Sequence, residues 1–319
     1  MSPRAPKLED VLATIRRLRK EDGAAAELVE QLRPIVEHPS SHAVAAAARL
    51  AEERELRELV EPLAEAFGRF FDADDVGCGA KIAIARALVA FEYDDAELFL
   101  AGATHVQLEG GYGEPEDSAV SLRAVSAEAL ARCSWDGVTI ALAEILVDLH
   151  EDVRTAAARA LGSAGRLDAI PLLRYKAVLG DPDPRVLGEC VGSILALEED
   201  EGLPFVRRFL HDDDPEVVEM TALAFAESRG AKALEILLSW WRNETRYDLR
   251  RDTLASIALH RSDESLAFLL GIIREGTTAD ALAAVDAFAP FRSDPTIEAQ
   301  LEEAVTERRE AEPDFGRRR

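Results

Sequence analysis

Basic side chains recur at two places in a nine-residue pattern. In "AKIAIARAL" from Ala80 the second and seventh positions hold Lys81 and Arg86. In "LRAVSAEAL" from Leu122 the second holds Arg123, and in "VRTAAARAL" from Val153 the two positions hold Arg154 and Arg159. Ammonium and guanidinium groups repeated on one helix face bind carboxylates, and guanidinium does so through two parallel hydrogen bonds. With the apolar side chains at the first, fifth, eighth and ninth positions, the second and seventh are expected to point away from the core. The strip would then offer local positive potential to a protein or acidic peptide partner. The competing reading is structural: a second-position Arg bonds the aspartate of an adjacent turn.

The stretch "HVQLEGGYGEPED", His105 to Asp117, stands just before the Arg123 helix. Gly110, Gly111 and Gly113 remove the side chains that would hold a helix, so a projecting loop is expected. It lacks the lysine and the strand-to-helix setting of a phosphate-binding loop. Tyr112, between glycines at the tip, is either an anchor for a partner or part of a tolerated surface insertion.

Other chemistry is sparse. Cys78, Cys133 and Cys190 stand far apart with no neighbouring histidines at metal-ligand spacing, and Cys78 fits a small residue at a helix start. The six histidines are scattered, and no nucleophile–base constellation has a characteristic spacing. Asp212, Asp213 and Asp214 lack the spaced ligands of a calcium loop; Asp183 and Asp214, directly before Pro184 and Pro215, fit helix caps. Neither a catalytic residue, a cofactor nor a metal is assigned. The pair Trp240-Trp241 falls in the same repeat slot as Phe209-Leu210 and Ile272-Ile273, so it is expected in the core.

These residues need elements to position them, and the elements repeat. The nine-residue pattern starts at positions 42, 80, 122, 153, 186, 217, 249 and 280, with intervals of 31 to 33 residues from 122 onward. Between the matches lie second amphipathic segments such as "ALEILLSWWRNE" and "SLAFLLGIIREG". A repeat is therefore two antiparallel helices, and stacked repeats share one core. The composition agrees: Ala, Leu, Arg and Glu dominate and aromatics are only 6%.

The Asp-rich turn, the "VR" start and the "ALG" end of the second helix resemble the HEAT and HEAT-like family, especially the short repeats first recognised in phycobilin lyases. The resemblance covers about residues 24 to 310, and Pro34 and Pro62 resemble the proline-bent first helix of longer units. It implies an all-α fold, an α-α superhelix (HEAT-like α-solenoid) of about eight antiparallel helix pairs, with the second helices on the inner side. The expected organisation of 1–319 is one domain: a capping helix in 1–23, repeats in 24–290, a capping helix in 291–310 and a flexible basic tail in 311–319.

Two di-iron and DNA-repair branches of the family fit poorly. His150-Glu151 is the only His-Glu pair, whereas a di-iron site needs several, and the formal net charge of −24 opposes nucleic acid. Nowhere do about 18 uncharged apolar residues run together, so no membrane span is expected, and the expected location is the cytoplasm. The functional expectation is a non-catalytic protein-interaction scaffold or adaptor, binding its partner through Lys81, Arg86, Tyr112, Arg123, Arg154 and Arg159. The alternative is a bilin-lyase-like small-molecule enzyme or ligand carrier.

Overall fold

The computed structural model describes residues 7–21, 23–110 and 113–316. Tyr112 and the basic tail residues Arg317, Arg318 and Arg319 lie outside the described residues. Helix contacts divide the chain into two compact units, Met1–Ala164 and Gly165–Arg319.

The first unit holds α1 (Leu8–Lys20) and four helix pairs: α2 (Ala25–Val36) with α3 (Ser41–Glu53), α4 (Val60–Arg69) with α5 (Gly79–Ala90), α6 (Ala96–Ala103) with α7 (Val120–Leu130), and α8 (Val138–Ile145) with α9 (Glu151–Ser163). The second unit has four more: α10 (Ile170–Leu179) with α11 (Pro184–Leu197), α12 (Glu199–Val206) with α13 (Pro215–Ser228), α14 (Ala231–Asn243) with α15 (Tyr247–Leu259), and α16 (Asp263–Glu275) with α17 (Thr278–Ala287). It ends in α18 (Pro295–Ala311), packed on α16. Within each unit the second helices touch one another in succession, α3 to α5 to α7 to α9, and α11 to α13 to α15 to α17. Each unit is thus built as an α-solenoid, and the described residues contain eight helix pairs.

Small residues let the second helices approach. Ala80, Ala83, Ala87, Ala127, Ala157 and Ala160 are buried along these seams. At Gly188 on α11 an added Cβ would stand 2.9 Å from Met220 Cβ on α13, so this seam closes to backbone distance. Larger side chains fill the space toward the first helices. Trp240 and Trp241 are buried, like Phe209, Leu210, Ile272 and Ile273 at the same slot, and the Trp241 indole N–H donates to the Arg250 carbonyl at 2.9 Å.

The helix starts follow their sequence signals. Asp183 accepts the Arg185 amide and Asp214 the Glu216 amide, each ahead of a proline in the first turn, where the missing N–H costs nothing. Cys78 caps α5 as a buried small residue with positive φ.

Candidate protein-interaction site

Burial separates the two positions of the nine-residue pattern. Taking about 100° per residue, the apolar first, fifth, eighth and ninth positions span an arc of about 100°, and the second lies only about 20° beyond its edge. The seventh lies about 100° beyond the other edge. The second position is accordingly a core slot: Val44, Leu187, Val218 and Ala281 occupy it in four repeats, all buried. Lys81 and Arg123 fill the same slot and are 1% and 3% exposed. They do not point away from the core, contrary to the expectation from the pattern, and Arg154 is half-buried.

The seventh position is exposed or half-buried in every repeat. It holds Arg86 and Arg159, both exposed, and Glu128 between them on α7. The burial pattern of α3 sets its register one residue later than the sequence match, so Ala43 corresponds to Ala80 and Arg49, also exposed, joins the row. The run of alanines in "HAVAAAARL" has no bulky side chain to fix that frame, so Arg49 was not legible as a member. Arg159 pairs with Glu128 at 3.1 Å, both about half exposed. Among the described residues no acid pairs with Arg49 or Arg86. At the far ends of α5 and α7 lies a cavity of about 380 Å³, lined by Val89, Glu92, Tyr93, Phe99, Ala129 and Arg132.

The buried cations have a different task, tying the 105–118 stretch to the repeats. Asp75 caps α5 by accepting the Ala80 and Lys81 amides and lies 3.3 Å from Lys81 Nζ. That ammonium also donates to the Phe70 carbonyl at 3.1 Å and to Gln107 Oε1 at 2.9 Å. The Gln107 side-chain amide donates in turn to the Asp75 carbonyl and the Glu109 carboxylate. One repeat on, Arg123 donates to Asp117 at 2.6 Å, to the His105 carbonyl at 2.9 Å and to both oxygens of Asp148.

Asp148 also accepts the His150 amide, and Arg154 donates to the Asp148 and Leu149 carbonyls. The expected projecting loop is instead clamped at its base. Strand β1 (Leu108–Glu109) pairs antiparallel with β2 (Glu116–Asp117), and Gly110 and Gly113 adopt the positive φ that the turn requires. Nothing local marks Gln107, Asp117 and Asp148 as partners of these cations, because they lie 25 to 26 residues from them or inside an irregular loop.

Electrostatics follow the geometry. Burial pushes the Asp117 carboxyl up, but the Ala119 amide and the Arg123 guanidinium outweigh it and hold it below its ordinary value. Burial pushes the thiol of Cys78 up, that of Cys133 up to about 11 and that of Cys190 up to about 12, so at neutral pH all three are thiols. Among the described residues no three His, Cys, Asp or Glu side chains gather closely enough to hold a metal ion. No described helix is long and apolar enough to cross a membrane.

The family model for HEAT repeats matches residues 174–258. The match lies within the second unit. Among solved structures, Kap121p is similar to this chain with a TM-score of 0.52 at 14% identity, over 92% of this chain and 39% of Kap121p. A second Kap121p structure, bound to Nup53p, gives 0.48 at 13% identity over the same shares of the two chains. The complex of CpcE and CpcF of phycocyanin lyase from Nostoc sp. PCC7120 gives 0.36 at 17% identity, over 91% of this chain and 97% of that one. The first of these likenesses agrees with the helical-repeat fold. No curated protein sequence matches the chain.

Proposed function

We propose that this HEAT-repeat chain is a non-catalytic scaffold or adaptor that binds a protein partner through an acidic segment. The segment lies along the solvent-facing side of α3, α5, α7 and α9. The observation that carries this reading is the arginine row itself: among the described residues no acid pairs with Arg49 or Arg86, in a chain with 61 acidic and 37 basic residues. Unpaired guanidinium groups surrounded by so many carboxylates keep a local positive potential, which selects an acidic partner and speeds its encounter.

Arg159, whose pair with Glu128 is about half exposed, is available by exchange, because such pairs contribute roughly 0–1 kcal/mol. The cavity beyond Arg86 offers a place for one apolar side chain of the bound segment. Lys81 and Arg123 have no part in contact; they shape the surface from beneath. Kap121p, which shares the helical-repeat fold, has been captured with Nup53p and so provides a precedent for partner binding on such a scaffold.

A fluorescein-labelled oligoglutamate peptide titrated with the full chain at low salt tests the reading by anisotropy. Binding that weakens at least tenfold in the Arg49→Glu/Arg86→Glu variant, and falls as salt is added, is the expected result. Equal affinity of wild type and variant, with unchanged helical circular dichroism, would sink it.

A further inference from the structure

Three stretches of the first unit converge on the buried network: 75–77 before α5, 105–109 at the hairpin base and 147–149 before α9. In all three, network residues alternate with aliphatic ones. Asp75 is followed by Val76; Val106 and Leu108 flank Gln107; Val147 and Leu149 flank Asp148. The polar member of each pair is buried or half-buried, and the aliphatic member is exposed.

The five outward side chains are 59% to 93% exposed, Leu149 most of all. They belong to one rim. The Gly77 amide donates to the Glu109 carboxylate at 3.0 Å, which ties the residue after Val76 to the residue after Leu108. The Arg123 guanidinium spans the His105 carbonyl and the Asp148 carboxylate, which ties the residue before Val106 to the residue before Leu149.

Two costs meet here. Contiguous exposed aliphatic side chains are unfavourable in water, and burying Lys81 and Arg123 requires their desolvation. What the arrangement achieves is a stiff apolar rim, ordered before any partner arrives, so that docking loses little loop entropy.

The exposed charge on the three stretches is of one sign, with Arg154, which donates to the Asp148 and Leu149 carbonyls, the cation beside them. None of the stretches 72–79, 104–118 and 147–152 contains Lys or Arg, while Asp72, Asp74, Glu114, Glu116, Glu151 and Asp152 are exposed. His105 and His150 are the only other titratable side chains facing the rim among the described residues of these stretches besides the network acids.

We infer that this rim is a second docking surface, opposite in charge to the arginine row, and that it takes an amphipathic helix of a partner protein with leucine-like side chains flanked by Lys or Arg. Aliphatic contacts supply the binding, and the surrounding acids choose the basic partner. The inference uses none of the arginine-row residues and stands if that row binds nothing.

The test is anisotropy with three labelled 18-residue peptides: a Leu/Lys amphipathic helix, a scrambled isomer of the same composition, and a Leu/Glu helix. The wild-type chain is expected to bind the Leu/Lys helix at least tenfold more tightly than either control. The Val106→Ser/Leu108→Ser/Leu149→Ser variant, changed only at exposed positions, is expected to bind it no better than the scrambled isomer.

Several results would overturn the inference. Equal binding by the triple variant would show that the rim is not the contact. Equal binding of the scrambled isomer would mean that bare charge attraction is responsible. Dissociation weaker than about 100 µM for all three peptides would leave no docking site for a basic helix. A wild-type dimer in sedimentation that the triple variant abolishes, without change in peptide binding, would assign the rim to a second copy of the chain.

Discussion

Arg123 and Arg159 sit in consecutive repeats, two positions of one pattern, yet their energetic roles differ. Arg123 is buried between Asp117 and Asp148 and also holds the His105 carbonyl. Replacing it by alanine strands two carboxylates in a largely desolvated place, and removing one partner of such a pair costs about 3–5 kcal/mol. Arg159→Ala, at a side chain about half exposed, should stay within about 0.5 kcal/mol. Denaturant unfolding of the two variants checks the contrast; similar midpoints would refute it.

The pH dependence carries a definite sign. Asp117 titrates below its ordinary value of 3.8 when folded, so its contribution is complete above that value and is lost as pH falls through the lower folded value. The Arg123→Ala variant should lose that part of the acid dependence.

At the scale of elements, the seams between second helices set what each unit tolerates. Gly188 lies on α11 where a Cβ would meet Met220 on α13. Gly188→Leu is expected to force the pair apart and to destabilise the fold by about 1–3 kcal/mol, despite the higher helix propensity of leucine. Gly271 on α16 has open space around its would-be Cβ, and Gly271→Ala should be neutral or stabilising. Thermal unfolding followed by circular dichroism distinguishes the two, and an unfolding midpoint for Gly188→Leu at or above wild type would contradict the close-seam account. The clamped hairpin is the other notable element. Two short strands would not persist alone, and here the buried cations of α5 and α7 supply what pairing cannot.

For the whole molecule, the formal charge of −24 is a field on which both surfaces operate. Self-repulsion among the acids destabilises the folded chain, and salt screens it over roughly 10 Å at 0.1 M. Raising sodium chloride from low to moderate concentration is therefore expected to raise the thermal midpoint while weakening the oligoglutamate complex. Opposite responses of stability and binding to the same salt series would agree with this electrostatic account; parallel responses would count against it.

The sequence by itself determined the helical repeats, their eight units, the proline-preceded caps at Asp183 and Asp214 and the core slot of Trp240-Trp241. All of these depend on spacing within one or two turns, and periodicity records that directly. The two kinds of basic position looked alike in the pattern and were separated only by packing. A side chain about 20° beyond the apolar arc is drawn into the core when acids meet it there: Asp75 from the turn before α5 for Lys81, and Asp117 from the irregular loop with Asp148 from the next repeat for Arg123. Lys81 and Arg123 are therefore supports, Arg49 and Arg86 are surface, and the clamped hairpin exists because contacts across repeats, invisible to local spacing, hold it in place.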